Sequence, residues 1–175
     1  MKAKAKIKEW IFIIAVAIVL SFLVRNYIFE IFIVEGKSME PTLLSKERIL
    51  VTKFNKDITD YSRGDIVVLD FKQDYGKDIV KRIIAIEGDT VEVRDSQVRV
   101  NGKIIQEGYI SENTQGRYDE VTVPKGNVFV LGDNRNHSLD SRDSRIGFVD
   151  LARIKGKARY IIWPVTNWRS LKFRG

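Results

Sequence analysis

No cysteine occurs among the 175 residues, which excludes disulfides, thiol catalysis and thiolate metal sites. The compartment stays open, because many exported proteins lack disulfides. Histidine is nearly as scarce: His137 stands alone, so a zinc site built on several histidines is excluded too, and no segment has EF-hand spacing. No cofactor and no metal are therefore expected. A nucleic-acid stripe is also missing. The formal charge is +7, from thirty Lys and Arg against twenty-three Asp and Glu, but Lys2, Lys4, Lys6, Lys8 and Arg25 against Glu9 put four of those charges before residue 26. The remaining excess is too mild for a nucleic-acid partner.

Charge is absent altogether from "WIFIIAVAIVLSFLV", Trp10 to Val24, and Ser21 is its one polar residue. With Ile7 and Tyr27 to Phe29 flanking, the run approaches the ~20 residues that span a bilayer. Lys8 and Arg25 can snorkel at its ends. A cleavable signal peptide would end in small residues, whereas this run exits through Val24-Arg25-Asn26-Tyr27, so it reads as an uncleaved anchor. The lysines before it place the N-terminus in the cytoplasm under the positive-inside rule. The expected organisation is a cytoplasmic N-terminus at 1–8, a transmembrane helix at 9–28, and a body at 29–175 on the outer face of the cell membrane, crossed once.

The body shows no second long amphipathic helix, no repeat and no flexible linker. Short apolar runs between turn signals predict strands: "IFEIFIVEG", "RILVTKF", "DIVVLDF", "DIVKRIIAI", "TVEVRD", "QVRVNGKII", "NVFVLGD" and "ARYIIW". Asn101-Gly102 is the clearest hairpin signal, since both residues tolerate the positive φ of a type I′ turn. The fold class expected is mostly β, one antiparallel domain behind one helix.

Three constellations carry chemistry. In "VEGKSMEPTL" Ser38 lies where a strand ends, after Gly36 and before Glu40-Pro41, a turn that could expose its hydroxyl and aim backbone N–H groups at an oxyanion. In "DIVKRIIAIEGD" period-two alternation puts Ile79, Lys81, Ile83 and Ala85 on one face and Val80, Arg82, Ile84 and Ile86 on the other. A lysine on an apolar face loses its ammonium preference on burial, which suits a general base. The loop "LGDNRNHSLDSRDSRIG" is dense in hydrogen-bonding groups after an apolar strand and holds His137, so a triad of Ser38, His137 and Asp133 or Asp140 is also conceivable. Spacing alone does not choose between His137 and Lys81.

The ordered blocks "GKSMEPTL", "RGDIVVL", "VKRIIAIEGD" and "GDNRNHSLDSR" behind a basic anchor resemble the bacterial type I signal peptidases, particularly their short Gram-positive members. The resemblance implies an antiparallel β fold, a Ser/Lys dyad, and removal of signal peptides from exported preproteins after Ala-x-Ala. The lipid bilayer and the protein-export channel would be its other partners. By position, Ser38 matches the nucleophile and Lys81 the base. Ser138 matches the serine that orients that lysine, Asp140 and Arg142 match supporting polar residues, and Asp133 with Arg82 matches an ion pair holding the loop to the lysine strand. Phe32, Val34, Met39, Leu43, Ile79 and Val80 fall where the family lines shallow pockets. His137 becomes a bystander. Gly36 stands where some relatives have an oxyanion-assisting serine, and Glu87 where proline is frequent, which implies altered turn rigidity. The stretch from Asp89 to Gly132 leaves little room for a large accessory β domain. The alternatives are a self-cleaving Ser/Lys repressor-type protease, against which the anchor and the lack of a DNA-binding helix pair argue, and a non-catalytic membrane-tethered β adaptor, which would not need both Ser38 and Lys81.

Overall fold

The computed structural model describes residues 2–53 and 61–171. It opens with a helix, α1 (Lys2–Tyr27), whose described apolar side chains from Trp10 to Phe22 are exposed. The expected anchor, 9–28, overlaps it, and the side chains of residues 23–27 lie outside those described. Among the described residues no helix is long and apolar enough to cross a membrane.

Among the described residues twelve short strands follow: β1 (Phe29–Ile33), β2 (Arg48–Thr52), β3 (Ile66–Leu69), β4 (Ile79–Ile86), β5 (Thr90–Arg94), β6 (Gln97–Val100), β7 (Lys103–Ile104), β8 (Tyr118–Thr122), β9 (Asn127–Leu131), β10 (Val149–Asp150), β11 (Ile154–Trp163) and β12 (Arg169–Ser170). The one further α-helix among the described residues is the single turn Lys72–Tyr75. All pairings are antiparallel and make two sheets. The larger runs β1-β2-β11-β3-β4-β9-β10, with β12 beside β11, and the smaller runs β7-β6-β5-β8. Each strand expected from the sequence appears, although Phe54 at the end of "RILVTKF" lies outside the described residues. The stretch read as too short for a large accessory domain does form its own four-stranded sheet. β8 went unread because "YDEVT" has acidic residues on its exposed side and lacks an apolar alternation.

Turn chemistry explains the small sheet. Asn101 and Gly102 have φ of 53° and 72°, and Asp95 and Ser96 have 54° and 61°, so two I′-type turns fold β5, β6 and β7 into a meander. The sheets join at β4–β5, where Arg63 Nε donates to Asp89 Oδ2 at 2.8 Å and Asn101 Nδ2 to Asp89 Oδ1 at 3.0 Å. Glu87, in place of a proline, accepts the Gly126 N–H at 2.8 Å, so a side-chain bond anchors this turn.

Three apolar clusters form the core. Val67, Leu69, Ile83 and Val130 belong to one; Met39, Leu43, Ile49, Val68 and Ile161 to the second; and Ile84, Val91, Val98 and Phe129 to the third, between the sheets. The simple alternation along β4 fails at its end. A bulge between Ile83 and Ala85 opposite β9 sends Ala85 into the same cluster as Ile84 and returns Ile86 to that of Ile83, reversing the faces expected for both, because an extra residue shifts the pleat.

Candidate active site

Four segments converge on Ser38. The turn after β1 is closed by Glu40 N–H to Lys37 O at 3.0 Å and Leu43 N–H to Met39 O at 2.8 Å, which buries Met39 and Leu43 and leaves Ser38 half-buried. Gly36 has φ +81°, a left-handed conformation that a side chain would strain. The loop after β9 then ties down the backbone at Ser38: Asn134 N–H donates to Ser38 O at 3.0 Å and Asn134 Nδ2 to Lys37 O at 3.1 Å. Gly132 makes this approach possible, since a Cβ there would collide with Ser38 O and Ser138 Oγ. Ser38 N–H meets no acceptor among the described residues, which leaves it free for an oxyanion.

Lys81, on β4, is 3% exposed, and its Nζ donates to Ser38 Oγ at 2.7 Å. Burial pushes its pKa from 10.5 down to about 8, against the opposing fields of Asp140 and Asp133 and with help from Lys77 and Arg142. When Lys81 is neutral the bond reverses, and the hydroxyl donates to the amine lone pair. That is the geometry of a serine and a base within reach of its proton.

The residue after Lys81 points the other way. Arg82 forms a two-pronged ion pair with Asp133, Nε to Oδ1 at 2.8 Å and Nη2 to Oδ2 at 2.6 Å, and Nη1 donates to Gly64 O at 2.8 Å. Thr42 Oγ1 also donates to Asp133 Oδ2, and the guanidinium stacks 3.9 Å from the Tyr109 ring centre. Asp140, 1% exposed, accepts Arg142 Nε and Nη2 at 2.8 and 2.9 Å and the Gly132 N–H at 3.1 Å.

Two groups of the expected site residues lie apart from the Ser38–Lys81 contact. Ser138 Oγ is buried with no hydrogen-bond partner among the described residues, so it makes no hydrogen bond to Lys81 here; it lies against Gly132, while Lys81 Nζ donates to Ser38. The six pocket residues also do not form one open surface. Val34, Met39 and Leu43 are 4%, 2% and 0% exposed and belong to the second core cluster, with Phe32 and Val80 packed against it, because the inward turn after Ser38 buries them against β2, β3 and β11. Ile79 lies on the opposite face of β4, beside the first cluster. His137 is exposed, and its Nδ1 lies 3.2 Å from Asn134 Oδ1.

Sequence reasoning missed Arg135, which is fully buried. Its Nε donates to Gly132 O at 3.0 Å, Nη1 to Glu107 Oε2 at 2.6 Å and to Thr114 Oγ1 at 2.9 Å, and Nη2 pairs with Glu107 Oε1. Tyr109, also bonded to Glu107, has its phenol pKa raised by burial and by that carboxylate. This cluster ties the loop of Gly132 to the segment after the small sheet's last hairpin. Nothing periodic marks Glu107 as the partner of a residue 28 positions later. No group of His, Asp and Glu suited to a metal occurs among the described residues.

Known proteins match this chain end to end. The family described as signal peptidase, peptidase S26, matches residues 7–163. Signal peptidase I S of Bacillus subtilis (strain 168) is 40% identical over 179 residues, covering 95% of this chain and 94% of the relative. Signal peptidase I P of Bacillus subtilis subsp. natto is 38% identical over 181 residues, covering 98% and 96%. Among solved structures, a signal peptidase I from Enterococcus faecalis V583 is 34% identical with a TM-score of 0.50, covering 58% of this chain and 98% of its own. The chain belongs to the signal peptidase family, peptidase S26.

Proposed function

We infer that this protein is a membrane-anchored serine endopeptidase that removes signal peptides from exported preproteins, with Ser38 as nucleophile and Lys81 as general base. The observation that carries the assignment is the 2.7 Å contact between Ser38 Oγ and the Nζ of a buried lysine whose pKa has dropped to about 8. Neutral Lys81 takes the Oγ proton as Oγ bonds to the scissile carbonyl carbon, and the Ser38 N–H supports the oxyanion. The C–N bond then breaks, the amine leaving with the proton from Lys81, and an acyl ester remains on Ser38. Lys81, neutral again, takes a proton from water; the hydroxide adds, the ester C–O bond breaks and Oγ recovers its proton. The pairs Asp133–Arg82 and Asp140–Arg142 hold the loop, and Ser138 stands by as a further acceptor.

The substrate adds as an extended strand beside Val34 and Ile79 to Lys81, with small alternate side chains over half-exposed Phe32 and Val80. Helix α1 supports the anchor: its apolar side chains from Trp10 to Phe22 are exposed on all sides, the basic residues before it favour a cytoplasmic N-terminus, and 29–175 then works on the outer face of the cell membrane. Sharing a bilayer raises the effective concentration of substrate, and the export channel is the natural neighbour.

Cleavage of a preprotein with an Ala-x-Ala site, in detergent, tests the assignment. Ser38→Ala and Lys81→Ala lose at least ~10³-fold in kcat/KM, as when members of a coupled nucleophile and base are removed, and His137→Ala stays near wild type. Activity retained in Lys81→Ala, or lost in a folded His137→Ala, sinks the dyad.

A further inference from the structure

A cavity of about 460 Å³ opens beside the catalytic loop, facing the small sheet. Ser138, Asp140, Arg142 and Asp143 line one side of it, Gln115 and Arg117 another. It shares no residue with the apolar cluster around Met39 and Leu43. Ser138 links it to the nucleophile, for across Gly132 its Oγ faces the same point as the Ser38 carbonyl.

The charged hydrogen-bonding capacity left in this cavity is one-sided. Its carboxylates are spent: Asp140 on Arg142 and the Gly132 N–H, Asp143 on the Arg145 backbone N–H, Nε and Nη2 at 3.0, 2.9 and 2.6 Å. Its donors are not. Arg142 commits Nε and Nη2, the latter also to Arg135 O, and its Nη1 meets no acceptor among the described residues. Arg117 commits only Nε, to Asp119, in a pair whose side chains are both 79% exposed, a contact of little strength. The Gln115 side chain and the Ser138 hydroxyl have no partner among the described residues. A wall with free guanidinium and hydroxyl donors and saturated carboxylates selects an acceptor-rich anion.

We propose that this cavity is a subsite for an Asp or Glu side chain within the first three residues after the scissile bond, with Arg117 as its specificity-determining cation. The inference rests on the proposed function, and the direction follows from placement. Half-exposed Phe32 and Val80 take the residues before the bond, and Ser138, across Gly132 from the Ser38 carbonyl, brings the cavity to those after it. At ~3.4 Å per extended residue, three residues suffice to reach it.

The test is a set of peptides with one Ala-x-Ala site carrying Ala, Glu or Lys at each of the three following positions, given to the full-length wild type, Arg117→Lys and Arg117→Glu in detergent. The readout is the Glu-to-Lys ratio of kcat/KM within each enzyme. At one position the wild type and Arg117→Lys favour Glu by about 1.5- to 5-fold, the range of an exposed ion pair, and Arg117→Glu brings the ratio to one or inverts it. An unchanged ratio in Arg117→Glu, or a wild-type ratio of one throughout, overturns the subsite. Inhibition by inorganic phosphate at constant ionic strength, lost in Arg117→Glu while the ratio stays at one, assigns the cavity to a free anion and overturns it as well. Wild type that leaves the alanine peptide uncut overturns the proposed function itself.

Discussion

Lys81 and Arg82 are neighbours on β4, each 3% exposed, yet their surroundings differ in kind. Arg82 faces a carboxylate that takes both prongs of its guanidinium, with a carbonyl and an aromatic ring filling out its shell. Lys81 faces a hydroxyl, and its two nearest carboxylates act on it only through their fields. Burial with a matched counter-ion leaves the cation charged and structural, whereas burial without one makes it give up its proton readily. One strand thus supplies a structural cation and a readily deprotonated amine in successive residues, because period-two alternation turns them to opposite faces.

The largest expected effects come from erasing that difference. Lys81→Met loses at least ~10³-fold in activity and gains stability at neutral pH. The folded-state pKa, about 8, lies below the unfolded value of 10.5, so holding the proton in the fold costs stability, fully below pH 8 and progressively less up to pH 10.5. That difference corresponds to roughly 3 kcal/mol at most, and chemical denaturation should find the variant more stable by ~1–3 kcal/mol at pH 7, the margin closing toward pH 10.5. In the wild type, kcat/KM rises about tenfold per pH unit until the pH passes roughly 8 and then levels, since the neutral amine is the active form. A flat profile from pH 6 to 9 would remove Lys81 as the titrating base. Asp133→Ala does the opposite: it strands Arg82 and should destabilise the fold by ~3–5 kcal/mol in the same measurement.

Gly132→Ala sharpens the comparison from the loop side. Its Cβ would meet Ser38 O and Ser138 Oγ well inside contact distance, so the nucleophile's backbone must shift. A loss of ~1–3 kcal/mol in stability, with kcat falling more than KM changes, is expected from thermal melts and steady-state kinetics. If kcat holds, Gly132 is only a packing residue.

What the sequence made legible follows from range. The strands could be read because alternation and turn residues are local, and the Asn101-Gly102 turn adopts the positive φ that its residues suggest. Ala85 could not, because the bulge that turns it depends on the partner strand. At the candidate site, "VKRII" already marked a lysine on an apolar face, but nothing local chose between it and His137; the 2.7 Å contact with Ser38 spans 43 positions. The same holds for Arg135 and Glu107, whose pairing is visible only once the small sheet is folded, and for Met39 and Leu43, whose burial depends on β2, β3 and β11 arriving behind them.

Ser138→Ala gives the smallest and most discriminating effect. Its hydroxyl is buried and unbonded, so removing it relieves a desolvated polar atom and should leave stability within ~1 kcal/mol of wild type, on either side of zero. Catalysis is another matter. In each tetrahedral intermediate Lys81 is an ammonium while Ser38 Oγ is bonded to carbon and is a poorer acceptor, and Ser138 Oγ, beside the Ser38 carbonyl across Gly132, is the free acceptor next at hand. Kcat should then fall about tenfold, the worth of one hydrogen bond to a charged group, with KM and the melting temperature unchanged, and Ser138→Thr should restore part of it. Equal losses in kcat and stability would make Ser138 a packing residue, and the reach of Lys81 would then end at Ser38.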